Sequence, residues 1–302
     1  MRFSIFQDTE IGGRSINQDR MGYCFTSDSL MMILADGMGG HLRGEVAAQM
    51  TLQSVGASFQ AQARPRVDDP VSFLDGALRK AHRDILRYQN QNSLPEAPRT
   101  TVVAAIIQDS KIWWAHAGDS RLYLVRNAKV ILRTRDHSKV QTMVALGLIK
   151  PGEEDTHPER NKVLNCLGSP FEPTVEINPP VKLISGDRVL LCSDGLWSGL
   201  SDEALSRAIT EKPMELAVPE MVKTAVDSNG RMADNTTAVG LHWDGDELRH
   251  DGVPVQELAD ATFTTTIVAH LDEGEPERDI TEDEIEKTIL EIRNAIEKSN
   301  AR

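Results

Sequence analysis

Five aspartates occupy positions where a carboxylate can do chemistry. Asp36 follows the apolar run Leu30–Ala35, and Asp194 follows Val189–Cys192 and Ser193. Asp119 follows the run from Trp113 to Gly118, Asp234 precedes the strand-like stretch 236–243, and Asp19 lies in a polar bend at 12–19. Asp-Gly is a common turn, and the chain contains five such pairs, at 36, 75, 194, 244 and 251. Asp75 falls in a helical pattern, while Asp244 and Asp251 have polar surroundings. Only Asp36 and Asp194 close runs that should be buried, and an ionised carboxylate at the mouth of a core is costly unless paired or bound to a cation. The nearby cations are Arg14 and Arg121. Converging carboxylates with few cations suit hard divalent ions such as Mg²⁺ or Mn²⁺, which take oxygen ligands. Two such ions make a nucleophile of water at neutral pH. Arg14, five residues before Asp19, has the fork that holds a phosphate. These residues point to phosphate-ester hydrolysis by direct attack of water.

Other chemistries are excluded by what the chain lacks. There is no P-loop, no His-Glu-x-x-His and no zinc spacing of Cys or His. Six residues after Cys166 and Cys192 stand Glu172 and Ser198, so the Cys-x5-Arg anion loop is missing. Asp244-x-Asp246 is followed by Leu248 where an aspartyl-nucleophile phosphatase needs Thr or Val. Net charge is −13, which argues against a nucleic-acid partner. No window reaches the ~18 uninterrupted apolar residues of a membrane span, and the first residues lack a signal-peptide layout. Three sparse cysteines, Cys24, Cys166 and Cys192, fit reduced core thiols and a cytoplasmic location.

The elements that must position the aspartates follow from period and turn chemistry. Helical spacing predicts helices over 44–59, 73–88, 202–210 and 214–228, with Pro65 and Pro70 in the loop between the first two. β-rich runs at 101–108, 111–117, 121–126 and 129–133 are joined by two-residue links, which favour antiparallel hairpins. Residues 138–180 read as an irregular surface lobe, and 262–271 as one more strand. An acidic linker at 272–279 leads to a helix at 281–298 with an Ile285, Ile289, Ile292, Ile296 stripe. That stripe either packs on its own domain or docks a partner.

The ordered motifs resemble the metal-dependent serine/threonine protein phosphatases, the protein phosphatase 2C (PPM) family, in its bacterial form. They are Arg14-x-x-Asn17-Gln18-Asp19; Asp36-Gly37-Met38-Gly39-Gly40-His41; Gly44-Glu45-x-Ala47; Thr100-Thr101; Gly118-Asp119-Ser120-Arg121; Asp136-His137-Ser138; His157-Pro158; Ser193-Asp194-Gly195-Leu196-Trp197; and Asp234-Asn235-Thr236-Thr237. The resemblance covers residues 1–243 and leaves 244–302 as an extension. It implies an α+β fold, a four-layer α-β-β-α sandwich of two antiparallel sheets flanked by helices, with a dinuclear metal site at one edge. It implies that Asp36, the Gly37 carbonyl, Asp194 and Asp234 bind two Mn²⁺ or Mg²⁺ ions. Asp19 would act through a metal-bound water, Arg14 would hold the phosphate, and Asp119 would help bind a third, weaker ion. Residues 139–169 would be the flap beside the site.

The implied substrates are phosphoproteins, with a serine/threonine kinase as the opposing partner. The rival from another class is a non-catalytic regulatory or binding module. Three positions depart from the family pattern. Met38 stands where many eukaryotic relatives carry a histidine proposed as general acid, which leaves protonation of the leaving group to water or another group, with His41 nearby. Gln18 replaces a common glutamate, and Arg99 replaces a glycine before Thr100-Thr101.

Overall fold

Strand alternation sorts the side chains into layers. In β3 (Ser29–Met38), Met31, Ile33 and Ala35 face one side while Leu30, Met32 and Leu34 face the other. In this computed structural model, which describes residues 1–39, 43–150, 152–153, 157–245 and 263–265, the first set packs under helices. The second set packs against another sheet.

One sheet runs β1 (Arg2–Glu10), β11 (Thr236–Gly245), β10 (Arg188–Cys192), β7 (Arg121–Arg126) and β8 (Lys129–Arg133). The other runs β12 (Phe263–Thr265), β2 (Asp19–Phe25), β3, β5 (Val102–Gln108), β6 (Lys111–Ala117) and β9 (Glu176–Lys182), with β4 (Arg99–Thr100) on the end of β3. All pairings are antiparallel. Asp109-Ser110 and Asn127-Ala128 both take positive φ at the two central positions, as two-residue hairpin links require.

Leu30, Met32, Leu34, Leu122, Val189, Leu191, Val239 and Trp243 fill the space between the sheets. Helices α1 (Gly44–Gln62) and α2 (Pro70–Gln91) cover the outer face of the second sheet. Helices α4 (Asp194–Gly199), α5 (Asp202–Glu211) and α6 (Met214–Asn229) cover the outer face of the first. The four-layer order expected from the resemblance is the order observed. Among the described residues no helix is long and apolar enough to cross a membrane.

Several elements differ from the periodicity reading. Pro70 is the first residue of α2 rather than part of the preceding loop; Asp69 accepts from Val71 N at 3.0 Å and caps the helix. A proline at that position loses nothing, because its missing N–H would have no helical partner. Residues 138–180 are not wholly irregular. They contain α3 (Lys139–Ala145), capped by Ser138, and end in β9, whose Pro179 and Pro180 suit an edge strand. Of the 262–271 stretch, Phe263–Thr265 pairs with β2. The remainder, together with 272–279, the 281–298 helix and His41, lies outside the described residues.

Candidate metal centre

The inner layer ends in carboxylates. Asp19 and Asp36 face each other in register across β2 and β3. Each has the parity of the inter-sheet core, Asp19 with Met21 and Asp36 with Leu34. Asp36 does not end its strand, which continues to Met38. Its carbonyl accepts from Thr101 N and Thr100 Oγ1, both at 2.9 Å. Gly37 N donates to Gln18 O at 3.2 Å. A Cβ on Gly37 would lie 2.3 Å from Gly44 O, and one on Gly44 would lie 2.6 Å from the Gly37 carbonyl carbon. The start of α1 therefore sits directly on the backbone that follows Asp36, and both positions require glycine.

Asp194 opens α4 instead of closing a strand, since β10 stops at Cys192. Ser193 between them is fully buried. Its Oγ donates to Asp19 Oδ2 at 2.7 Å and accepts from Thr237 N at 3.0 Å. Asp19 Oδ1 is buried without a hydrogen-bond partner. Burial pushes the Asp19 carboxyl up, partly offset by the nearby polar groups of Thr237 and by the Ser193 hydroxyl.

Burial also holds Asp36 well above the usual carboxylate range, and Asp19, Asp194, Asp119 and Asp234 each add repulsion. Asp194 is raised in the same way, by burial and then by Asp119, Asp234 and Asp19, with relief from Arg14. Asp119 is pushed up to about 7, by burial first and Asp136 second. The five aspartates singled out in the sequence thus share one electrostatic neighbourhood.

Arg14 reaches the same place from the 11–18 bend. Its Nε and one terminal nitrogen donate to the two oxygens of Asp234 at 2.8 and 2.6 Å. Its guanidinium is also stabilised by Asp194 and Asp36. Asn235 anchors this bend: its Nδ2 donates to Ile11 O and Ile16 O, and its Oδ1 accepts from Gln18 N at 2.8 Å. A Cβ on Gly12 would lie 2.4 Å from Asp234 O, so bend and strand entry are in backbone contact.

The second cation named from the sequence does not join the cluster through its own head group. Arg121 grips Asp136 with two bonds at 2.8 and 2.7 Å, and its Cζ lies 3.7 Å above the Trp197 ring. Another buried cation is Arg20, which donates to the carbonyls of Asn17 and Asp19 and is attracted by Glu45 and Asp19. Its position in β2 points it to the helix side, which the apolar run alone did not reveal. Gln18, the residue that departs from the family pattern, donates to Glu45 Oε2 at 3.0 Å. Arg99 pairs with Met38 across β4 and β3, and its Nε is buried without a partner.

The donor set fits hard divalent cations. Carboxylates dominate it, and one buried Asp19 oxygen has no hydrogen-bond partner. The mutual repulsion is only partly offset by the arginines nearby, with Arg14 acting on Asp194 and Asp36 and Arg121 on Asp119.

The family model for protein phosphatase 2C matches residues 7–228. The chain belongs to the protein phosphatase 2C family. A relative within it is the serine/threonine protein phosphatase PstP of Mycobacterium tuberculosis, 33% identical over 214 residues, or 69% of this chain and 39% of that protein. This phosphatase-family chain therefore spans well under half the length of that relative. The serine/threonine phosphatase stp of Listeria monocytogenes is 30% identical over 229 residues, covering 75% of this chain and 90% of its own. The crystal structure of the PstP catalytic domain in complex with two manganese ions superposes with a TM-score of 0.66 at 29% identity, covering 80% of this chain and 97% of that one.

Proposed function

We propose that this protein phosphatase 2C chain hydrolyses phosphoserine and phosphothreonine in proteins with two Mn²⁺ or Mg²⁺ ions, and that it forms no phosphoenzyme. The observation that carries the reading is the convergence of the buried Asp19, Asp36, Asp194 and Asp119 with Asp234 at their exposed rim. Asp36, the Gly37 carbonyl, Asp194 and Asp234 would hold the two ions, and Asp119 a third, weaker one. When bound, the ions supply Lewis acidity and lower the pKa of water.

The chain's own residues then have distinct tasks. Arg14 presents a planar fork at the exposed rim, suited to two phosphate oxygens. Asp19 Oδ1 is the free acceptor, able to orient a water proton while Ser193 fixes Oδ2. The tight backbone contact of Gly37 with Gly44 holds the Asp36 corner in place. Met38 offers no proton, so the leaving alkoxide takes one from water or another group.

Residues 1–243 would form the catalytic domain and 244–302 an extension, whose 281–298 stretch would either pack on that domain or dock a partner. A cytoplasmic setting and an opposing serine/threonine kinase complete the reading.

The test is Mn²⁺-dependent hydrolysis of p-nitrophenyl phosphate and of a phosphothreonine peptide. Asp36→Asn and Asp194→Asn should each lower the rate by at least about 100-fold. Full activity in both variants removes the proposed site. No turnover with any divalent ion favours a non-catalytic module.

A further inference from the structure

Gly118 and Asp119 make the turn from β6 to β7. Gly118 has φ 120°, and a Cβ there would lie 2.5 Å from Thr101 Cβ, so the turn is seated hard against the start of β5. His137 holds this turn by both backbone groups of Gly118. Its N–H donates to Gly118 O at 2.9 Å, and its Nδ1 accepts from Gly118 N at 3.3 Å. Asn165 Nδ2 donates to the same Nδ1 at 2.7 Å. The orientation of that amide is fixed, because Nδ2 also donates to Thr174 O and Oδ1 accepts from Thr174 N.

Two donors on Nδ1 require that nitrogen to be unprotonated. The neutral ring then carries its proton on Nε2, which faces Glu176 Oε2 at 3.3 Å. One residue earlier, Asp136 holds Arg121, which covers Trp197, and Trp197 Nε1 donates to Asp119 O at 3.0 Å. The dipeptide Asp136-His137 thus braces the Asp119 turn, on one side directly and on the other through two side chains.

His116, His137 and Glu176 bring ligand-type atoms within 4.8 Å of one another, which raises the alternative of a cation there. The geometry opposes it. A metal lies near the plane of each imidazole that binds it, and these rings stack at 4.5 Å with 20° between planes. His116 Nε2 donates to Arg135 O, which leaves its buried Nδ1 as an unpartnered acceptor, but both His137 nitrogens face protein partners in the tautomer that leaves no lone pair at Nε2.

We infer that His137 is a positioning residue for Asp119, and that it ties Asp119 to the 138–165 segment. The tie is short. Leu164 N donates to His137 O at 2.8 Å, and Ser138, the next residue, caps α3. The inference rests on the reading of Asp119 as a ligand of the weaker ion.

The experiment is a Mn²⁺ titration of the full chain followed by the EPR signal of free Mn²⁺, with wild type, Asp119→Ala, His137→Phe and His137→Asn, and a melting curve for each. Asp119→Ala and His137→Phe should weaken the weakest binding event by at least about tenfold and spare the tighter ones. His137→Asn should restore it, since Asn Oδ1 can accept from Gly118 N. If His137→Phe does not fold, His137→Gln carries the same expectation, because its longer amide leaves the Gly118 N–H without its acceptor.

Wild-type binding in His137→Phe beside a loss in Asp119→Ala overturns the role of His137 alone. Wild-type binding in Asp119→Ala removes the metal reading of Asp119 and the inference with it. A loss that His137→Asn does not restore also overturns the role assigned to Nδ1.

Discussion

Two arginine–carboxylate pairs near the site share a geometry and differ in surroundings. Arg14–Asp234 and Arg121–Asp136 are both bidentate, with contacts of 2.6–2.8 Å. The side chains of the first are 59% and 37% exposed, those of the second 10% and 9%. Water competes for the first pair and screens it, so either partner can be exchanged for a phosphate or an ion at small cost. The second pair lies against the Trp197 ring and beside Tyr123, where a lone charge would be stranded. One geometry therefore serves as an exchangeable contact at the rim and as a fixed strut behind it.

The largest stability effect should come from the strut. Arg121→Ala leaves Asp136 buried and unpaired, and chemical denaturation should show a loss of about 3–5 kcal/mol. A smaller loss would mean that water reaches Asp136 and that the two pairs differ less than their burial implies. An intermediate case is Arg126–Asp187, where Asp187 is fully buried but Arg126 is 28% exposed. Arg126→Ala should cost about 1–3 kcal/mol, because Asp187 keeps Ile184 N as a donor at 2.9 Å.

The acid cluster adds a pH dependence that neither pair can cancel. Asp19, Asp36, Asp194 and Asp119 have folded-state pKa values raised above their unfolded ones. In chelator-treated protein the folded state then holds more protons than the unfolded state. Stability should fall as pH rises from about 4 through the folded value near 7 for Asp119, by up to about 1.4 kcal/mol per pH unit for each linked proton. Melting curves from pH 5 to 8 with EDTA should show the decline, and Mn²⁺ should remove most of it. A flat profile with EDTA would contradict the buried, repelling cluster.

The smallest stability effect belongs to the rim. Arg14→Ala should change stability by no more than about 1 kcal/mol. Its peptide-phosphatase kcat/KM should nevertheless drop by at least about tenfold, because a charge-assisted bidentate contact contributes roughly 1.5–3 kcal/mol. A large stability loss with unchanged kcat/KM would reverse the assignment of the two pairs.

Many of the elements could be read from the chain, because the central strands β3 and β5 are nearly unbroken apolar runs and both long outer helices of the C-terminal half lie on helical spacing. The order of the layers, by contrast, came from the family resemblance. Helices α5 and α6 end within one residue of the spans expected. Helix α4 was hidden because its six residues hold two glycines and too few turns to show a period. β9 was hidden by Pro179 and Pro180, which only an edge position tolerates. At the site, the residue types and their order marked the five aspartates, but partnership was not legible. Nothing local assigns Arg121 to Asp136 rather than to Asp119 two residues away, or gives Ser193 to Asp19 across 174 positions. Such partnerships are set by the stacking of two sheets, and a linear pattern carries no information about that.

The contact between Gly37 and Gly44 has a consequence for how this corner can change over generations. Each glycine excludes a side chain because of the other's backbone, not because of a neighbour that could shrink. No second substitution at the partner position can relieve a first, since glycine is already the smallest residue. The pair is a dead end for compensatory mutation, so a screen for revertants of Gly37→Ala should recover true reversion, and no suppressor at position 44.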